Sequence, residues 1–251
     1  KDLKETMQVF EKEKNKYSVA WLDFSAKNKE LGRCIIFLGE HATRRELQKA
    51  NLVNNLNFKM RNFISIPFEL PFSVLNYFSI NLFNFLYYRF QKINSKKFVG
   101  IDKFFYPLDR IKNWNLVYGE KGFIQYQFVL PKIYSYDGIV EIIKYLQTVN
   151  QLPFLPVLKF FKKSDIGIMS FPIRGYTLAM DFPVSEKIIP ILNQLDKIVI
   201  KFKGRIYLTK DSRIRKNNFV KMYKKEIRFF KNNKYYKKGQ FSSLQSERLL
   251  N

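Results

Sequence analysis

Tyr207, Lys210 and Arg213 recur three residues apart in the run Gly204-Arg205-Ile206-Tyr207-Leu208-Thr209-Lys210-Asp211-Ser212-Arg213. A phenol, an ammonium and a guanidinium gathered around one turn present convergent donors, the chemistry of an anion or cofactor site. The structural alternative is a surface ion pair between Lys210 and Asp211 or another carboxylate. A second group stands in Gly122-Phe123-Ile124-Gln125-Tyr126-Gln127-Phe128-Val129-Leu130. As a strand this segment turns Gln125 and Gln127 to one face and Ile124, Tyr126, Phe128 and Leu130 to the other. Two neutral amides on one face either look into solvent or hydrogen-bond a polar ligand. By the same alternation Asp181 shares a face with Ala179 and Thr177.

These residues need rigid elements to hold them. Residues 185–202 carry Ile188, Leu192, Leu195, Val199 and Phe202 on one helical stripe, with Ser185 as N-cap, Pro190 confined to the first turn, and Gly204 as the C-terminal stop. Leu3, Met7 and Phe10 predict a short amphipathic helix over the first dozen residues. Strands over 18–24 and 33–39 flank the polar stretch 25–30 as a hairpin. A helix carrying Val140, Ile143 and Leu146 follows Pro131, and strands are expected over 156–161, 166–171 and 177–182. Phe219, Tyr223, Ile227 and Phe230 predict a lysine-rich helix over 219–238 with one docked face. The fold class is α+β: an antiparallel sheet covered by helices, followed by a C-terminal segment, with a boundary near residue 205 separating 1–204 from 205–251.

Residues 72–88 contain no charge but include Ser73, Asn76, Ser79, Asn81 and Asn84, and Pro67 and Pro71 precede them. Spanning a bilayer takes about 20 mostly apolar residues, so the run reads as a lid or core helix, or as an aromatic face at the lipid headgroup boundary.

Forty-five Lys and Arg against 21 Asp and Glu leave a net charge of +24, enough to attract nucleic acid or an anionic membrane. The lysines are spread along the chain beside abundant Asn, Ile, Phe and Tyr, a set that A/T-rich codons supply. The aromatics fall mostly on apolar stripes, so nucleic acid is not the expected partner. The ten glycines never form Gly-x-Gly, so the chain carries neither a dinucleotide fingerprint nor a P-loop. One histidine, His41, and one cysteine, Cys34, exclude a His-based metal cluster, a zinc knuckle and an internal disulfide. No Gly-x-Ser-x-Gly elbow accompanies His41, and Cys34 lies in an apolar run that reads as core. No secretory signal is apparent, and Lys1 in place of Met hints at a fragment.

Several ordered segments carry a family resemblance. They include Tyr17-Ser18-Val19-Ala20-Trp21-Leu22-Asp23, Gly39-Glu40-His41-Ala42, Phe105-Tyr106-Pro107-Leu108-Asp109, Gly122 to Gln127, Phe154-Leu155-Pro156-Val157-Leu158-Lys159, Thr177 to Pro183, and Gly204 to Arg213. The set resembles the decaprenylphosphoryl-ribose oxidase family of FAD-linked oxidoreductases, within the vanillyl-alcohol-oxidase superfamily. The resemblance implies a substrate cap (1–204) and a C-terminal return to the FAD-binding domain (205–251). The N-terminal half that holds the ADP part of FAD would then be supplied by the rest of the same protein or by a split gene. It implies catalytic roles for Lys210 and Tyr207, and flavin contacts from Tyr207, Lys210 and Arg213. It places Gln125, Gln127, Asp181 and Lys159 against the substrate. A fixed ammonium near the ring that accepts hydride lowers the barrier by about 3 kcal/mol for one preorganised donor.

The implied reaction is hydride transfer to flavin from a secondary alcohol of a polyprenyl-phosphate-linked pentose. A sugar-lactone oxidase such as D-arabinono-1,4-lactone oxidase, and a non-catalytic basic module binding membrane or nucleic acid, are the alternatives. A lipid-linked substrate gives the basic surface a role at an anionic leaflet, at about 1 kcal/mol per lysine. The expected location is cytoplasmic, or peripheral at the inner face of the plasma membrane.

Overall fold

A computed structural model describes residues 2–52, 64–69, 71, 73–91, 95–163, 167–232 and 242–250. Along the chain lie α1 (Leu3–Lys12), β1 (Tyr17–Leu22), β2 (Cys34–Gly39), α2 (Arg44–Lys49), β3 (Ile64–Ser65), α3 (Tyr77–Phe90), α4 (Ile101–Phe105), β4 (Ile111–Lys112) and β5 (Phe123–Pro131). Then come α5 (Lys132–Thr148), β6 (Phe154–Phe161), β7 (Gly175–Pro183), α6 (Ile188–Lys201), β8 (Arg205–Ile206), α7 (Lys216–Met222), α8 (Lys224–Asn232) and α9 (Leu244–Leu250). Six strands form one antiparallel sheet in the order β2-β1-β6-β7-β5-β8.

Opposed residues in a sheet share a face, so the register sorts the side chains. Ala20, Leu158, Leu178 and Phe128 line up across four strands, and all are fully buried. Against this face α1 sets Leu3, Met7 and Phe10, α5 sets Ile139, Ile142, Ile143 and Leu146, and α6 sets Leu192, Leu195 and Val199. On the other face Gln125 stands opposite Asp181, Gln127 opposite Ala179, and Lys159 opposite Thr177. The apolar stripes of the sequence thus make the core, and the polar alternates fall together on the opposite side.

The expected hairpin, the first helix and the long helix over 185–202 all form, but the last begins at Ile188, with Pro190 in its first turn and Lys187 rather than Ser185 at the N-cap position. Its C-terminal stop differs in detail. Lys203 adopts the left-handed conformation (φ +56°), while the Gly204 N–H bonds back to the Val199 carbonyl at 2.8 Å. Gly204 is required for space: a Cβ there would lie 2.5 Å from both the Leu130 side chain and the Val129 carbonyl.

The strand expected over 166–171 is not formed by its described part. Residues 167–170 make a turn closed by Ser170 N–H to the Gly167 carbonyl (3.1 Å), and Pro172, which lacks an N–H, follows it. The C-terminal helix is split at Tyr223 into α7 and α8, and residues 233–238 lie outside the described set, as does Phe72.

Among the described residues no helix is long and apolar enough to cross a membrane. The uncharged run forms α3, capped by reciprocal Asn76 and Ser79 bonds. Its inner side meets the sheet through Asn84, which donates to Asp23 at 2.9 Å, and through Tyr87, edge-on to Trp21 at 4.8 Å. Its outer side leaves Phe78 82% and Leu82 59% exposed, with Phe85 and Leu86 beside them.

Candidate functional site

The turn after β8 is held from three directions. From the sheet, the Tyr207 N–H extends the ladder to the Gln127 carbonyl at 2.8 Å, and the Tyr207 ring stacks on Phe171 at 4.6 Å. From α6, the buried carboxylate of Asp196 receives both terminal nitrogens of Arg213, at 2.7 and 2.8 Å, and the Tyr126 hydroxyl at 3.0 Å. From α9, Arg248 pairs with Asp211 at 2.7 Å and donates to the Ile214 carbonyl, while Gln245 donates to the Leu208 carbonyl at 2.8 Å. Asp211 also accepts from the backbone N–H groups of Arg213 and Ile214 at 3.0 and 2.8 Å. Bonds of this number fix a loop that short-range propensity alone would leave mobile.

Held this way, the turn brings Tyr207 and Lys210 to a depression that Gln125, Gln127, Asp211 and Arg213 also line. The Lys210–Asp211 ion pair open in the sequence is not made, because Asp211 is taken by Arg248 and two backbone donors. Burial instead lowers the pKa of Lys210; the Asp181 carboxylate opposes that shift and the charge of Lys159 adds to it. A partly desolvated ammonium is poised toward charge that a ligand brings or develops.

The amides are differently committed. Gln127 donates to the Thr177 hydroxyl at 3.0 Å, which donates onward to the Phe128 carbonyl at 2.8 Å. The Gln127 carbonyl oxygen is thereby left for the open side. Gln125 stands directly opposite Asp181 across the β5–β7 ladder. Burial pushes the pKa of Asp181 up to about 6, against the opposing pull of the Gln125 amide and the charge of Lys210.

Gln125, Gln127, Asp181, Tyr207 and Lys210 therefore converge, and Lys159 joins them on the same sheet face as an exposed charge. Arg213 lines the depression, but its guanidinium is committed to Asp196 and its side chain is 8% exposed. Tyr118, which carried no signal in the sequence, belongs with the group. It sits in a 3-10 turn (Trp114–Tyr118), is 2% exposed, and packs on Phe123 and Phe154, the latter opposite Asp181 in the sheet.

No family model matches the chain. Over 207 residues, 82% of its length, it is 33% identical to the decaprenylphosphoryl-β-D-ribose oxidase of Mycolicibacterium smegmatis, and the match covers 45% of that relative. The chain thus spans under half the length of the curated relative it matches, and is a partial homologue of it.

Proposed function

We propose that this partial homologue of an oxidoreductase is the substrate-side portion of an FAD-dependent enzyme that oxidises a secondary alcohol of a polyprenyl-phosphate-linked pentose. The observation that carries the reading is the partly desolvated Lys210 ammonium beside the two glutamine amides and the buried Asp181. That donor set fits the rim of a flavin ring, which is neutral in its resting form and gains negative charge on reduction. When bound, FAD would supply the hydride acceptor. The chain contains no Gly-x-Gly turn of the kind that cradles a dinucleotide phosphate. We assign the ADP end to polypeptide outside these 251 residues, in the same protein or in a partner chain.

Lys210 holds positive charge where negative charge develops, and Tyr207, its ring fixed on Phe171, orients ring or sugar by a hydrogen bond. Gln127 offers a carbonyl acceptor, and the exposed Lys159 attracts the substrate phosphate. The outer face of α3, with its exposed phenylalanines and leucines over a chain of net charge +24, supports peripheral docking at an anionic membrane. There the prenyl chain would lie against Phe78, Leu82 and Phe85. The test is the full-length gene product, purified and examined for flavin absorbance that bleaches anaerobically on adding a prenylphosphoryl pentose. A colourless protein, or a flavin that the sugar lipid leaves oxidised, overturns the reading.

A further inference from the structure

Two buried polar atoms on the site's face lack a partner among the described residues: Oδ1 of Asp181 and the hydroxyl of Tyr118. Both side chains are more than nine-tenths buried, at 8% and 2% residue exposure. Burying an unpaired polar atom costs about 1–3 kcal/mol, so two such atoms on one sheet face, packed about the same Phe154, call for an occupant. They are held firmly. Tyr118 stacks on Phe123 at 4.5 Å and meets Phe154 edge-on, while Phe154 stands opposite Asp181 in the register of β6 and β7. Gln125 stands opposite Asp181 in the register of β5 and β7 and lines the depression beside Lys210.

We propose that Asp181 and Tyr118 form a hydroxyl-reading subsite for the sugar ring, an inference that rests on the function proposed above. One substrate hydroxyl donates to Oδ1 of Asp181 and accepts from the Tyr118 phenol. A carboxylate takes only donors and the phenol offers its proton, so the pair selects a group that does both. An alcohol satisfies it; a ketone at the same carbon accepts from Tyr118 but has no proton for Asp181. A deoxy sugar leaves both atoms buried and unpaired, and sites built to bond a hydroxyl reject analogues lacking it strongly.

The probes are D-ribose 5-phosphate and its 2-deoxy and 3-deoxy analogues, titrated calorimetrically into the full-length protein and into Y118F and D181N. The expected result is that the wild type prefers ribose 5-phosphate to one of the deoxy analogues at least 10-fold, and that each variant shrinks this preference below 3-fold. Y118F removes a single oxygen and keeps the ring packing, so it serves where D181N fails to fold. Equal affinity for all three sugars, no binding by the wild type, or undiminished discrimination in the variants overturns the subsite, as it would if water alone satisfied these atoms. Flavin absorbance is read on the same samples. Discrimination that tracks Asp181 in a flavin-free protein keeps the subsite and rejects the redox reading; a flavin-loaded protein without discrimination does the reverse.

Discussion

Gln125 of β5 and Asp181 of β7 are direct cross-strand partners, so their side chains share the sheet face that carries Gln127 and Lys159. Neither residue is conspicuous alone. Gln125 lines the depression where Lys210 stands, and its partner sets a titratable carboxyl within the electrostatic reach of that ammonium.

The pH dependence of stability follows from the raised pKa of Asp181, about 6 against an ordinary 3.8. The unfolded chain gives up this proton more readily, so ionisation favours unfolding. The penalty is absent below pH 3.8 and grows as pH rises to about 6. D181N never ionises. Urea unfolding at pH 4 and pH 7 is expected to show the variant gaining roughly 2–3 kcal/mol on the wild type between the two.

Arg213 is predicted to act chiefly through Asp196, which is fully buried and accepts both guanidinium nitrogens. Removing the cation leaves an uncompensated buried carboxylate. R213A is expected to lose about 3–5 kcal/mol in chemical denaturation, and the double variant R213M/D196L to lose clearly less than R213A alone. Equal losses would make Arg213 a ligand-facing group instead.

At the end of α6, opposite signs are expected at adjacent positions. K203G relieves a left-handed lysine and should stabilise by about 1 kcal/mol. G204A forces a methyl against Leu130 and the Val129 carbonyl and should destabilise by roughly 1–3 kcal/mol. Thermal unfolding of the two variants decides both.

The outer face of α3 should carry lipid contact without carrying stability. Phe78 and Phe85 are 82% and 54% exposed. The double variant F78D/F85D is expected to keep its unfolding midpoint while sedimenting at least several-fold less with vesicles containing anionic lipid. Unchanged sedimentation would remove α3 from the membrane proposal.

Much of this was legible in the sequence because the periodicities are local. Alternation alone put Gln125 and Gln127 on one face, and the helical stripe from Ile188 to Val199 located α6. What was hidden depends on pairing between strands far apart in the chain. The register that sets Gln125 against Asp181 crosses β5 and β7, with β6 threaded between β1 and β7, and no spacing rule encodes it. Tyr118 was missed because a 3-10 turn has no periodicity to read. Arg213 showed the opposite problem: its spacing matched Lys210, but its guanidinium turns to a carboxylate on another helix. The expected strand over 166–171 gave weight to apolar residues and too little to Gly167 and Pro172.

The role of Lys210 is tested by the rate at which substrate reduces the flavin in the full-length protein carrying K210A, followed anaerobically by absorbance beside the wild type. Flavin is expected to remain bound and its reduction to slow about 100-fold, as for loss of one preorganised electrostatic donor. Reduction at the wild-type rate, with flavin bound to both proteins, would contradict that role.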